Sequence, residues 1–264
     1  MRYAKRGRLR FTSHRDIGRA IERALRRAEL PVAFSAGFTP HPKISYAGAA
    51  PTGVASEAEY LELVVARPCD PLWVRDALDS ALPAGIDVLD VALADGTRVN
   101  GAAGTGLPDL LEASLWRVRL DGVAPDLAEA AVRAFLAADR IEVERLTKKG
   151  RRSLDARAPV VRLEVDRRGE QSRSVPCAIL CMVVRNMTPA VRPDDVLTGL
   201  RQVASLAPTS PPVVTRLAQG PLDATTGGLA DPLDCGKESD ALGGGVPSGG
   251  SVEDEDVVGA LPPR

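Results

Sequence analysis

Aromatic residues are scarce in this chain of 264 residues: four Phe, three Tyr and two Trp are the whole set. Its core must therefore be built from Val, Leu, Ile and Ala, and a hydrophobic content of 44% is ample for that. No apolar run reaches the ~18 residues of a membrane span, so none is expected. The opening Met-Arg-Tyr-Ala-Lys-Arg-Gly-Arg lacks the apolar centre of a signal peptide. Cysteine is sparse and scattered (Cys69, Cys177, Cys181, Cys235), which, without secretion, points to reduced thiols in a cytoplasmic protein. Cys177 and Cys181 form a Cys-x3-Cys pair, but no third Cys follows two residues later. The pair sits in an apolar, strand-like run and reads as two buried structural thiols. An RNA-recognition motif (basic-Gly-aromatic-x-x-x-aromatic) is also missing. Base stacking on a sheet is therefore not expected, and a bound nucleic acid would be held by phosphate or shape contacts.

What the chain does have is an uneven charge. The net charge of −1 hides eleven Lys/Arg against three Asp/Glu in residues 1–45, and two against nine in residues 221–264. A basic front and an acidic end suggest a polyanion-binding head and a solvated tail.

The length allows one large domain or two small ones. Ser13 is placed to cap a helix that runs to about Glu29, with Ile17, Ala20, Ile21, Ala24, Leu25 and Ala28 as its apolar stripe. Arg15, Arg19, Arg23 and Arg27 recur every four residues and stack along one face. Pro31 stops the helix. Residues 35–56 form a long loop with Phe38, Ile44 and Tyr46 as its expected anchors. Short extended pieces over 2–5 and 8–12 around Gly7 precede the helix capped by Ser13, and a strand over 57–66, a helix over 71–82 that buries Trp73, and a strand over 86–94 complete the first half. The second half repeats the order. It has strands near 114–121, 160–165, 178–185 and 213–217, and helices over 125–138 (Leu127 inward) and 192–204. Each half reads strand, helix, strand, strand, helix, strand, the first lacking one clear strand, placed near Lys43–Tyr46. The expected fold is α+β, a tandem of ferredoxin-like (βαββαβ) halves. Its divisions are 1–95, a linker at 96–112, a second half at 113–220 and a disordered acidic Gly/Pro/Ser tail at 221–264.

The chemistry is densest in two phrases, Phe11-Thr12-Ser13-His14-Arg15-Asp16 and Gly37-Phe38-Thr39-Pro40-His41-Pro42-Lys43-Ile44, which hold both histidines of the chain. His14, His41 and Lys43 are the catalytic candidates. His14, His41, Asp16, Glu57 and Glu59 are candidate ligands for a divalent metal, although no close-spaced ligand pair exists. The arginine ladder and the basic turn Lys148-Lys149-Gly150-Arg151-Arg152 are candidate phosphate-binding groups. A Gly-centred turn lets backbone N–H groups approach an anion alongside the cations.

These phrases, with Glu22–Ala28, Leu30–Ser35 and Gly53–Leu61, resemble the bacterial radical-SAM-associated domain family of unknown function, in its stand-alone form. In the second half Lys148–Arg151, Asp155 and Arg192–Leu197 also fit. The resemblance spans about residues 2–220, and Arg15 departs from it by standing where Leu is expected. It implies a role in RNA metabolism or modification, beside a radical SAM protein or a ribonuclease of the E/G type. This chain has no Cys-x3-Cys-x2-Cys, so it should hold no iron–sulfur cluster of its own. The expected function is an RNA-binding accessory protein linked to RNA modification or processing. One alternative is a metal-independent endoribonuclease of the CRISPR-processing type. There His14 would deprotonate a ribose 2′-hydroxyl and Lys43 or an arginine would stabilise the developing charge. Another is a protein–protein docking scaffold.

Overall fold

The computed structural model describes residues 1–94, 106–147, 150–167 and 176–234. Two runs of elements follow one another. The first is β1 (Arg2–Lys5), a 3₁₀ turn (Gly7–Phe11), α1 (His14–Arg27), β2 (Ile44–Ala47), β3 (Ala55–Leu63), α2 (Pro71–Ala81) and β4 (Ile86–Asp90). Residues 8–11 of the extended piece expected over 8–12 are in that 3₁₀ turn instead, where Leu9 N–H bonds Arg6 O at 3.1 Å and Thr12 N–H bonds Leu9 O at 3.0 Å. A one-turn helix, α3 (Leu107–Leu110), leads into the second. That run is β5 (Ala113–Asp121), α4 (Pro125–Ala137), β6 (Glu142–Thr147), β7 (Gly150–Asp155), β8 (Val160–Val165), β9 (Cys177–Arg185), α5 (Pro193–Ala204) and β10 (Val213–Gly220). The protein is mixed α+β.

Local chemistry sets the helix ends. Ser13 Oγ accepts the Asp16 N–H at 3.2 Å and caps α1. At the other end Glu29 adopts φ 51, Leu30 N–H reaches Leu25 O at 3.2 Å and Glu29 N–H reaches Arg26 O at 3.2 Å. This is a Schellman closure with Glu where Gly is usual, and the buried Leu30 locks it. Asp70 caps α2, accepting Leu72 N–H at 3.1 Å, with Pro71 in the first turn.

Eight strands form one sheet in the order β4-β1-β3-β10-β5-β9-β8, with β2 also paired to β3. Within the first run the order is β4-β1-β3-β2, and every neighbouring pair is antiparallel. Within the second it is β10-β5-β9-β8, again antiparallel throughout. The strand placed near Lys43–Tyr46 is β2. β6 and β7 form a separate hairpin between α4 and β8.

Two apolar cores result. Ile17, Ile21, Leu25, Val74, Leu78 and Leu61 lie in the first, and Val118, Leu120, Phe135, Leu180, Met182 and Leu200 in the second. α5 meets α4 closely at Gly199, where a Cβ would lie 2.8 Å from the Phe135 ring. Trp73 and Leu127, expected inside, are 46% and 52% exposed. Each sits in the first turn of its helix, before the turns that carry the buried stripe. Cys177 and Cys181 are half-buried on the face of β9 opposite the core residues Ala178, Leu180 and Met182, not within the core.

The sequence leaves the other face of the first half without a cover, and the structure provides one. Ala47, Ala58 and Tyr60 pack against Leu107, Leu110 and Leu111, with Leu233 beside them. The expected linker is therefore partly folded: α3 and Leu111 are core, while residues 96–105 lie outside the described residues. The expected tail is likewise folded at its near end. Leu222 bridges Leu229, and the Asp231 carboxylate takes Arg2 Nη1 at 2.5 Å and Tyr60 OH at 3.5 Å. A few apolar side chains and one buried-edge carboxylate suffice to seat 221–234, because a hydrophobic surface is waiting for them. Residues 235–264, including Cys235, lie outside the described residues.

The halves meet at a buried polar seam. β3 and β10 run parallel for only two pairs, Ala55 with Thr215 and Ser56 with Arg216. Beyond them side chains take over the strand hydrogen bonding: Gln219 Nε2 donates to Ala58 O at 2.6 Å and Gly48 O at 3.2 Å. Arg216 donates to Glu59 at 2.5 Å and Ser56 Oγ at 3.3 Å, and its guanidinium lies 5.5 Å from the Trp116 ring. Lys5 Nζ donates to Ala50 O and Pro51 O at 3.1 Å each. Burial holds the Lys5 ammonium below its usual range, Glu59 working against that and Arg216 with it. Every polar group here is paired, which such burial requires.

Candidate nucleic-acid interface

α1 presents its polar face to solvent along its whole length. Among its four stacked arginines, Arg19 reaches Asp16 at 3.4 Å and Arg27 donates to Ala81 O at 3.2 Å. Arg15 and Arg23 are exposed and have no partner among the described residues. Glu22 lies 3.9 Å from Arg26.

His14 opens the helix with its ring exposed and meets Tyr46 of β2 edge-on, with ring centroids 4.9 Å apart. Burial, with Glu22 adding to it, pushes the Tyr46 phenol up to about 12, and its hydroxyl has no hydrogen-bond partner among the described residues. β2 thus ties the start of α1 to the loop that precedes it. That loop is a short irregular hairpin. Lys43 N–H donates to Ala33 O at 2.8 Å, Ser35 N–H to His41 O at 2.9 Å, and His41 N–H to Ser35 Oγ at 3.0 Å. Ala33 N–H bonds Val64 O at 2.8 Å, welding the stem to the end of β3. His41 and Lys43 are exposed on this stem. Among the described residues no hydrogen bond or ring contact joins His41 to His14.

Ile44 and Tyr46 anchor the loop as expected, but Phe38 does not. It stands at the tip beside Gly37 (φ 129) and is fully exposed. Phe34 on the stem is 51% exposed and Phe11 is 60% exposed, with the Arg10 guanidinium 4.7 Å from its ring. These are the residues that sequence reasoning missed. A signal was present: Phe38 sits between Gly37 and Thr39-Pro40, among turn residues and outside any sustained periodic apolar run.

The five candidate metal ligands do not gather. Glu57 is held by Arg6, whose Nε lies 2.8 Å from Oε1, and Glu59 by Arg216 and the Ala50 N–H at 3.1 Å. Asp16 accepts from Ser13 OH at 2.7 Å and from Arg19. Among the described residues no group of three or more His, Cys, Asp or Glu could hold a metal ion.

The second basic region is the β6–β7 hairpin. Val143 and Leu154 root it in the core, and Arg145 grips Asp195 with both Nε (3.0 Å) and Nη2 while donating to Ala190 O at 3.0 Å. Beyond that root Leu146, Arg151 and Arg152 are exposed, and Arg151 lies 3.2 Å from Glu144. Lys148 and Lys149 lie outside the described residues.

Residues 1–193 match the model of a family described as uncharacterized protein conserved in bacteria (DUF2344). The chain belongs to this family. The matched stretch carries α1, the Phe38 loop and the basic hairpin, and ends where α5 begins. No curated protein matches the chain. No helix among the described residues is long and apolar enough to cross a membrane.

Proposed function

We propose that this chain is a cytoplasmic RNA-binding accessory protein linked to RNA modification or processing. Its partner, by the resemblance of the first-half phrases, is a radical SAM enzyme or a ribonuclease of the E/G type, which supplies the chemistry. We read the halves as two ferredoxin-like units. What supports that is the shared strand order, with the first run's β4-β1-β3-β2 answered by β10-β5-β9-β8. The observation that carries the RNA reading is a set of exposed cations with no acidic partner among the described residues. Arg15 and Arg23 on α1, Lys43 on the loop stem and Arg152 on the hairpin are of this kind. Guanidinium groups suit phosphate oxygens in shape as well as charge.

The test is a titration of purified protein into labelled small RNAs without added metal, at several salt concentrations, with bound fraction and RNA length read from the same samples. Salt-dependent binding without shortening is the expected result, and charge reversal at Arg15, Arg23, Arg151 and Arg152 together should abolish it. Affinity that ignores both salt and charge reversal would sink the proposal. Shortening that disappears in His14→Ala would move the chemistry into this chain, with the exposed His14 as base. A stable protein complex that forms without RNA, and no RNA binding at moderate salt, would leave the docking reading.

A further inference from the structure

The RNA-binding reading leaves the class of RNA open, and the distribution of phenylalanine narrows it. Burying a Phe side chain is among the larger single contributions to a core, and this chain is short of aromatics. Yet of its four Phe only Phe135 is buried. Phe11, Phe34 and Phe38 all stand in solvent, and all three fall in the most basic stretch of the chain.

Their surroundings say what they would meet. Residues 30–56 contain no Asp or Glu, so nothing acidic within this loop repels a polyanion. Lys43 pairs with Ala33 in the stem, next to Phe34, and Arg10 lies over Phe11. Along the sequence the rings are interspersed with cations (Arg10, Phe11, Arg15; Phe34, Phe38, Lys43) and with Gly, Thr and Pro, not gathered in the continuous apolar run that would mark a protein-docking patch. Single-stranded nucleic acid has the matching alternation, a planar base and a phosphate in every nucleotide. In an RNA duplex the base faces are stacked on each other and the major groove is too deep and narrow for side chains, so exposed rings gain nothing from it.

We propose that Phe38 and Phe34, with Phe11, are stacking platforms for unpaired bases, and that the preferred ligand is single-stranded RNA or an RNA loop. The phosphates flanking the stacked bases lie on Lys43, Arg15 and Arg23. The platform is a loop, not the sheet face on which RNA-recognition motifs stack bases, so no sheet motif is needed. This inference rests on the RNA-binding reading above.

Phe38 touches no core residue, so its replacement leaves the fold intact. The experiment measures fluorescence anisotropy of a labelled single-stranded RNA of about a dozen nucleotides (a length of the order of one such site) and of a duplex of the same sequence. The protein is compared with Phe38→Ala, Phe34→Ala and Phe38→Trp. The wild type should prefer the single strand. Phe38→Ala should weaken single-strand binding roughly tenfold, duplex binding should change less than about twofold, and Phe38→Trp should retain full affinity. Equal single-strand affinity for the wild type and both Ala variants would overturn the inference and leave backbone-only RNA binding standing. Binding of neither RNA by any of the proteins would overturn the inference and the RNA reading together, and would assign the rings to a protein partner.

Discussion

The arginines of α1 ride on a helix that the first core holds at five positions, whereas Arg151 and Arg152 stand on a two-stranded ribbon fixed only at its root. In sequence the two regions look alike, each a dense set of cations. In space they differ in availability. On α1 the acids sit three or four residues from arginines, so Arg19 and Arg26 find partners on their own helix. On the ribbon the root arginine, Arg145, is consumed by Asp195, Arg151 lies 3.2 Å from Glu144, and Arg152 is exposed with no partner among the described residues. Exposed pairs such as Arg19 with Asp16 stabilise by only ~0–1 kcal/mol, so a phosphate can displace them. The Arg145–Asp195 pair, with Asp195 almost wholly enclosed, is structural. The helix offers a fixed, spaced row of charges, and the ribbon offers reach.

The sharpest break in this comparison lies behind α1, at the seam. Arg216→Ala would leave Glu59 charged and buried, and should cost about 3–5 kcal/mol in urea unfolding. The loop at 48–51, which Glu59, Gln219 and Lys5 hold together, should loosen first, as read by hydrogen exchange. Breaking the root of the ribbon should cost less, because Asp195 keeps the Arg192 N–H at 2.7 Å. Arg145→Ala is expected to lose about 1–3 kcal/mol, with new protease cleavage confined to residues 142–155. Truncating the free cations should leave stability within about 0.5 kcal/mol and act on binding alone. Arg15→Ala and Arg152→Ala should each lower the salt slope of single-stranded RNA affinity by about 0.7. If only one of them does, only that region carries phosphate. The smallest effect is at the end of α1. Glu29→Gly relieves a left-handed φ of 51 and should raise stability by about 0.5–1 kcal/mol, seen as a higher urea midpoint at unchanged slope.

By itself the sequence determined the parts whose causes are local. The cap at Ser13, the stripe from Ile17 to Leu25 and the Asp70-Pro71 start of α2 each depend on residues within two turns; the end of α1 comes earlier than the expected stop at Pro31, at the left-handed Glu29. The alternation of β5 and the order of elements in each half were equally legible, because periodicity survives without tertiary context, whereas the continuous apolar run of β9 hid which of its faces holds Cys177 and Cys181. So was the basic front that contains both histidines. Only the tertiary structure decided which of those charges are free. Glu59 looked like a metal ligand until Arg216, 157 residues away, proved to be its partner, and Glu57 was taken by Arg6 in the same way. The same holds for the second face of the first half, covered by Leu107, Leu110, Leu111 and Leu233, which lie 47 or more residues beyond Tyr60. Phe38 is the converse case. An exposed ring and an anchoring ring are the same letter, and what separates them is whether a distant surface arrives to cover it. Pairing and burial are properties of neighbours in space, and for these residues the neighbours are brought in by the pairing of β3 with β10 and by the return of residues 221–234.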